Sequence, residues 1–145
     1  MSKQVIKPTI IYDTNALISA LMYPASVSAQ ALIVGVKHFQ LAASNDTWAE
    51  LEAVSSRKKF TKYWLVQDRL LFLAQLAAMT NFYDVISNVT DCVDAADNKF
   101  LELAIDANAR VIVSGDHHLR SMHPFQGISI ISPSEFLSLI NTKAV

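Results

Sequence analysis

Residues 5–21 read VIKPTIIYDTNALISAL: an apolar run from Val5 to Tyr12, a carboxylate at Asp13, then helical spacing from Asn15 to Leu21. Val5, Ile6, Thr9, Ile10 and Ile11 are apolar or β-branched with no polar alternation, the pattern of a strand covered on both faces, and such strands usually belong to parallel sheets. The strand must therefore be followed by a crossover, and the pattern supplies one. Helical spacing continues over Ser28 to Lys37, weakened at Gly35, before a second short strand at Phe39 to Ala43.

The alternation persists to the C-terminus. Ser44, Asn45 and Asp46 offer N-caps for a helix to about Val54; a basic stretch, Arg57 to Lys62, leads into a helix over Val66 to Met79. A strand is predicted at Tyr83 to Ile86, a loop at Ser87 to Asp94, a helix at Ala95 to Ala107 and a strand at Arg110 to Ser114. A polar turn, Gly115 to His118, precedes a strand at Ile128 to Ile131 and a final helix from Pro133. Strands separated by helices imply an α/β sandwich with a mostly parallel sheet.

With 145 residues, three Gly, four Pro and no repeat or low-complexity stretch, the chain reads as one domain, residues 1–145. Charged residues interrupt each apolar stretch well before the ~20 residues needed to cross a bilayer, so no membrane is expected. The N-terminus lacks the long apolar core of an export signal, and the lone Cys92 cannot form an internal disulfide, which makes the cytoplasm the expected compartment. Cys92 itself reads as a small packed residue. A net charge of -1 does not advertise nucleic-acid binding, so any such affinity must be local or carried by bound cations.

Ligands of open α/β sheets bind beyond the carboxyl ends of the strands. Asp13 and Asp116 fall at two such ends, and Gly115 lets the chain turn before Asp116. Asp97 lies at the edge of an apolar stripe with Phe100, Leu101 and Ala104. A fourth acid is Glu50 or Glu52, between which periodicity does not choose. Gathered carboxylates repel one another unless cations neutralise them, and Mg²⁺ or Mn²⁺, which prefer oxygen ligands and substrate phosphates, suit that task. Taken singly, Asp13 and Asp94 also read as helix caps, Asp116 as a turn residue and Glu50 as a solvated helix residue; it is their coincidence at one edge that favours a site. Arg57, Lys58, Lys59 and Lys62, interleaved with Phe60, Tyr63 and Trp64, could contact a nucleic-acid strand, though a solvated junction with aromatic anchors is the preferred reading. His117, His118 and His123 lack zinc-like spacing and read as loop residues, His117 being a candidate phosphate contact. The helix around Leu70 to Ala77 is apolar over more than one face, as a core element or a partner surface would be.

The strings YDTNALISAL (12–21), AEL (49–51), SRKKF (56–60), DNKFLELA (97–104) and VSGDHHL (113–119) resemble, in this order, the PIN-domain family, and in particular the bacterial branch described as toxin components of toxin-antitoxin systems. The resemblance runs from Thr9 to about Leu139. It implies a three-layer α/β/α sandwich and a ribonuclease using Mg²⁺ or Mn²⁺. It also implies that Asp13, Glu50, Asp97 and Asp116 form the catalytic, metal-binding quartet, with Glu50 chosen over Glu52 because the family's acid precedes a leucine. Asn15 and Ser114 match supporting polar positions that orient carboxylates or water, and Asp94 matches a frequent, less essential acid. RNA as substrate, an antitoxin protein and a homodimer are the implied partners. Cys92-Val93-Asp94-Ala95 and Arg57-Lys58-Lys59-Phe60 depart from the family's usual Arg-Asp-Pro and Arg-Pro-Lys-Phe, which bears on the rim of the site and not on its acids. Two rivals compete: phosphotransfer through an aspartyl nucleophile, disfavoured because Asn15 stands where a second Asp would, and a non-catalytic RNA- or protein-binding module.

Overall fold

The computed structural model describes residues 6–142, so the expected strand residue Val5 lies outside the described residues. Ile6 to Pro8 precede the sheet rather than join it, and the first strand, β1, spans Thr9–Tyr12. It is followed by α1 (Thr14–Met22), α2 (Val27–His38), β2 (Gln40–Ser44) and α3 (Asn45–Ser55). A 3₁₀ turn at Lys58–Phe60 then leads to α4 (Val66–Ala78) and β3 (Thr80–Tyr83). A second 3₁₀ turn, Ala95–Asp97, runs into α5 (Asn98–Asp106), and β4 (Val111–Val113), α6 (His117–Arg120), β5 (Ser129–Ile131) and α7 (Pro133–Asn141) complete the chain.

The strands form one sheet in the order β3-β2-β1-β4-β5, every pairing parallel. Side chains alternate across it, as a period of two requires. Ile10 and Tyr12 join Leu41, Val111, Val113 and Ile131 under α1, α2, α3, α4 and α7. Ile11 joins Ala42, Ile112 and Ile130 under α5 and α6. This is the expected three-layer α/β/α sandwich. No single helix among the described residues is long and apolar enough to cross a membrane.

Two local expectations shift. The third strand lies at Thr80–Tyr83, earlier than Tyr83 to Ile86, because it is an edge strand whose middle residues, Asn81 and Phe82, are exposed and carry no burial pattern. The apolar Val85 and Ile86 follow it in a loop that is laced to α5 instead. Asp106 accepts from the backbone N–H groups of Ile86 and Ser87, Glu102 from that of Val89 and Asn98 from that of Cys92. The expected turn at Gly115 to His118 closes into the short helix α6, with Asp116 as its N-cap.

Of the candidate caps for α3, Ser44 is the one used. Its hydroxyl accepts from Thr47 N at 3.1 Å while Thr47 Oγ1 accepts from Ser44 N at 2.9 Å, so two buried donors are satisfied reciprocally. Ser44→Ala is expected to lower stability by about 1 kcal/mol, read as a fall in the urea midpoint at unchanged slope. An unmoved midpoint would show that the cap contributes nothing.

Candidate active site

The chain proceeds outward from β1 to β2 and β3, then returns across the sheet to β4 and β5. The strand order therefore reverses between β1 and β4, and the crevice of such a sheet opens beyond the carboxyl ends of that pair. Asp13 immediately follows β1 and Ser114 immediately follows β4. An open cleft of about 410 Å³ lies there, lined by Asp13, Thr14, Asn15, Glu50, Asp94, Asp97, Phe100 and Asp116. The structure thus brings together all four acids of the expected quartet, with Asp94 and Asn15 beside them. Asn15 and Asp116 also border an adjoining groove of about 670 Å³ that includes Ser19, Ser28 and His117.

Asp13 is 3% exposed and Ser114 is fully buried. Asp13 Oδ1 accepts from Ala16 N at 2.8 Å, capping α1, and Oδ2 accepts from the Ser114 hydroxyl. Ser114 Oγ in turn accepts from Asp116 N at 2.9 Å. Asp13 therefore caps α1 and lines the cleft at once, because a strand end that starts a helix is also the edge of the sheet. Burial pushes the Asp13 carboxyl up; the bonds from Ser114 and Ala16 oppose the shift, and the nearby Asp116 and Glu50 add to it.

Asp97 is pushed up to about 7, first by burial, then by a shared hydrogen bond with Asp116 and by the charges of Asp116, Asp94 and Asp13. Asp116 moves the other way, lowered chiefly by that bond from Asp97. The opposite shifts of these neighbours are what two close carboxyls show when the charged form of one disfavours ionisation of the other. Asp97 Oδ2 is buried without a partner. Asp94 accepts from Ala96 N at 3.1 Å, so it is a cap as well as a cleft residue.

Glu50 is answered by two residues that sequence reasoning passed over. Thr14 Oγ1 donates to its Oε1 and Lys99 Nζ to its Oε2. Both lie inside strings already singled out, but a pairing 49 residues apart has no local signal. Asn98 was also missed; by accepting from Cys92 N it ties the preceding loop to the start of α5 and so fixes where Asp94 and Asp97 stand.

Crowded carboxylates, two of them raised, and an orphaned buried oxygen on Asp97 fit a hard divalent cation by donor chemistry. Among the described residues, no three acidic, histidine or cysteine side chains already converge as ligands on one point. The hydrogen bonds above account for part of this: Asp13 is turned to Ser114 and Ala16, Glu50 to Thr14 and Lys99, and Asp116 to His118 N.

The basic stretch does not reach the cleft. Arg57, Lys58, Lys59 and Lys62 are exposed and none lines it. Phe60 stacks on Trp64 at 5.7 Å, and Tyr63 meets Tyr23, the residue after α1, at 6.0 Å. Asp13 caps the opposite end of α1, about 13 Å away at 1.5 Å per residue.

The sequence profile of the PIN domain matches residues 9–118. An uncharacterised protein of Methanocaldococcus jannaschii is 28% identical over 119 residues, 81% of this chain and 76% of its own. Among solved structures, a chain of VapBC2 from Rickettsia felis, bound to a DNA fragment from its promoter, superposes with a TM-score of 0.57 at 16% identity, covering 84% of this chain and 96% of that one. The RRP44 PIN domain of T. brucei gives a TM-score of 0.49 at 13% identity, with 95% and 83% covered.

Proposed function

The chain belongs to the PIN-domain family, whose members are generally nucleases, and on that premise we propose that it is a divalent-metal-dependent endoribonuclease hydrolysing RNA phosphodiester bonds. The observation that carries this reading is the gathering of Asp13, Glu50, Asp97 and Asp116 in one cleft at the point where the strand order reverses. Asp13, Asp97 and Asp116 would hold Mg²⁺ or Mn²⁺, and Glu50 would line the position of the attacking water. Bound there, such an ion supplies positive charge to the phosphate and acidifies a water. Ser114 fixes the rotamer of Asp13 and, through Asp116 N, the turn that carries Asp116. Asn15, exposed at the rim, and His117 in the adjoining groove face the path that flanking nucleotides would take. Cation binding also accounts for how a chain of net charge -1 engages a polyanion.

The role of toxin in a toxin-antitoxin pair rests on the resemblance of the ordered motifs to that branch. Leu70 and Leu71 on α4, 53% and 58% exposed while Leu73 and Leu76 are buried, belong to the face that an antitoxin or a second copy would cover. The cytoplasm is the compartment in which such an enzyme meets RNA.

The test is cleavage of a mixed-sequence, end-labelled RNA by the purified protein with Mn²⁺, Mg²⁺ or EDTA. Metal-dependent cleavage is the expected outcome. A folded protein that binds Mn²⁺ but leaves RNA intact and cuts single-stranded DNA would move the substrate, and one that neither binds nor cuts would leave a non-catalytic binding module.

The raised Asp97 carboxyl gives this reading a pH signature. Below about 7 the metal-free pair holds a proton that an entering cation must displace, so Mn²⁺ affinity is expected to fall as pH drops through 7, by up to about tenfold per unit, and to level off above it. Folding shows the opposite sign. Between the ordinary value of 3.8 and about 7 the folded protein keeps a proton that the unfolded chain has released. In EDTA, therefore, this contribution is full at the acid end and is lost as pH rises toward 7. Calorimetric titration and melting in EDTA, each across pH 5 to 8, check both; a pH-independent Mn²⁺ affinity would remove Asp97 from the ligand set.

A further inference from the structure

Both oxygens of the Glu50 carboxylate already have partners within the chain, the Thr14 hydroxyl on one and the Lys99 ammonium on the other. The pair is mostly buried, with side-chain exposures of 21% for Lys99 and 26% for Glu50, so water and salt screen it less than a surface pair. It is the one ion pair between side chains among the described residues. Lys99 is the second residue of α5, two positions after Asp97, and Glu50 stands on α3, so packing of two helices delivers the charge to the cleft wall.

Positive charge is thus supplied unevenly across the cleft. Glu50 has a cation beside it, whereas Asp13, Asp97 and Asp116 have none among the described residues and Asp97 Oδ2 has no partner at all. Two-ion phosphodiester sites place their metals ~4 Å apart and need a carboxylate for each. A second ion here would have to evict the ammonium from Glu50, a compact point charge occupying the same role.

We propose that Lys99 is the second cation of this site: its ammonium, seated on Glu50, stands in place of a second divalent ion, so that the cleft takes one ion on the side of Asp13, Asp97 and Asp116. The inference rests on the metal-dependent reading above and deepens it. Lys99 is a positioning residue in this account. It holds Glu50 in place on the cleft wall without itself being a metal ligand.

The test is the stoichiometry of Mn²⁺ bound to the whole protein without RNA, by calorimetric titration with spin resonance counting free Mn²⁺, at about pH 8 where carboxylates are free to ligate. Wild type and Lys99→Arg are expected to bind one Mn²⁺ per chain. Lys99→Met, which leaves Glu50 without a cation, is expected to bind two. Two Mn²⁺ on wild type, or a single Mn²⁺ on folded Lys99→Met, overturns the proposal. No Mn²⁺ on folded wild type instead overturns the metal-dependent reading beneath it. Lys99→Gln carries the same expectation of two Mn²⁺ should Lys99→Met fail to fold, and a merely structural ion pair would leave the count at one in both variants.

Discussion

Asp13→Asn is expected to reduce metal-dependent RNA cleavage about a thousandfold while leaving the metal-free protein at least as stable as wild type. The two halves have different causes. Loss of a carboxylate that helps to hold the ion removes several kcal/mol of charge stabilisation at the phosphate, and about 4 kcal/mol corresponds to a thousandfold in rate. Stability behaves otherwise because the buried carboxylate is costly to ionise: burial raises its titration, and Asp116 and Glu50 raise it further. An asparagine keeps the Oδ1 that accepts from Ala16 N, so α1 stays capped, and it brings no charge into the crowded cleft. Melting in EDTA should therefore hold or rise, whereas the upward shift that Mn²⁺ gives wild type should vanish. Initial rates and melting points on the same preparations check this. Cleavage at the wild-type rate would remove Asp13 from the chemistry, and a lower midpoint in EDTA would show that its role is structural.

Gly35→Ala should be the most damaging small substitution outside the cleft. Alanine is the better helix former by about 1 kcal/mol, so at a free position in α2 it would stabilise. Here a Cβ would sit 1.8 Å from the Tyr12 hydroxyl and 3.0 Å from its Cζ. Tyr12 is buried at the end of β1 with its hydroxyl donating to Ala31 O at 2.7 Å, so a shift of the ring away from the new Cβ breaks that bond in the core. Overpacking of this kind costs about 3 kcal/mol, roughly a 10 °C fall in melting temperature for a chain of this size. Tyr12→Phe alone should cost about 1 kcal/mol for the lost hydrogen bond. In combination it deletes the atom that Cβ meets first, so the double variant should be more stable than Gly35→Ala. Simply additive losses in the double variant would show that the hydroxyl is not the obstacle. Because Tyr12 precedes Asp13, the same contact sets where the first acid of the site emerges from the sheet.

Much of this was legible in the chain. The run Thr9 to Tyr12 declares a doubly covered strand because burial on both faces leaves no polar alternation; Asp13 and Ser114 follow their strands directly, and Asp116 comes two residues after Ser114. Their place at the sheet's ligand edge is a consequence of where the apolar runs stop. Asp97 was readable from its stripe with Phe100, Leu101 and Ala104, all buried in the structure. Even Gly35, an apparent weakness in a helix, was visible as an anomaly, although its reason lay across the core in Tyr12.

β3 was displaced in the reading because Thr80–Tyr83 is an edge strand, and pairing on one side does not require the alternation that burial imposes. The leucines of α4 left open whether they were core or surface, and the packing divides them: Leu73 and Leu76 are buried, Leu70 and Leu71 are not. The sequence by itself determined the order of elements, the parallel sheet and the acids that end its strands, since each is written in the spacing of adjacent residues. Only the tertiary structure decided which charges meet. Lys99 reaches Glu50 across 49 residues because α3 and α5, packed on opposite faces of the sheet, meet at its ligand edge, and a distance set by how two layers settle on one sheet leaves no trace in the neighbours of either residue.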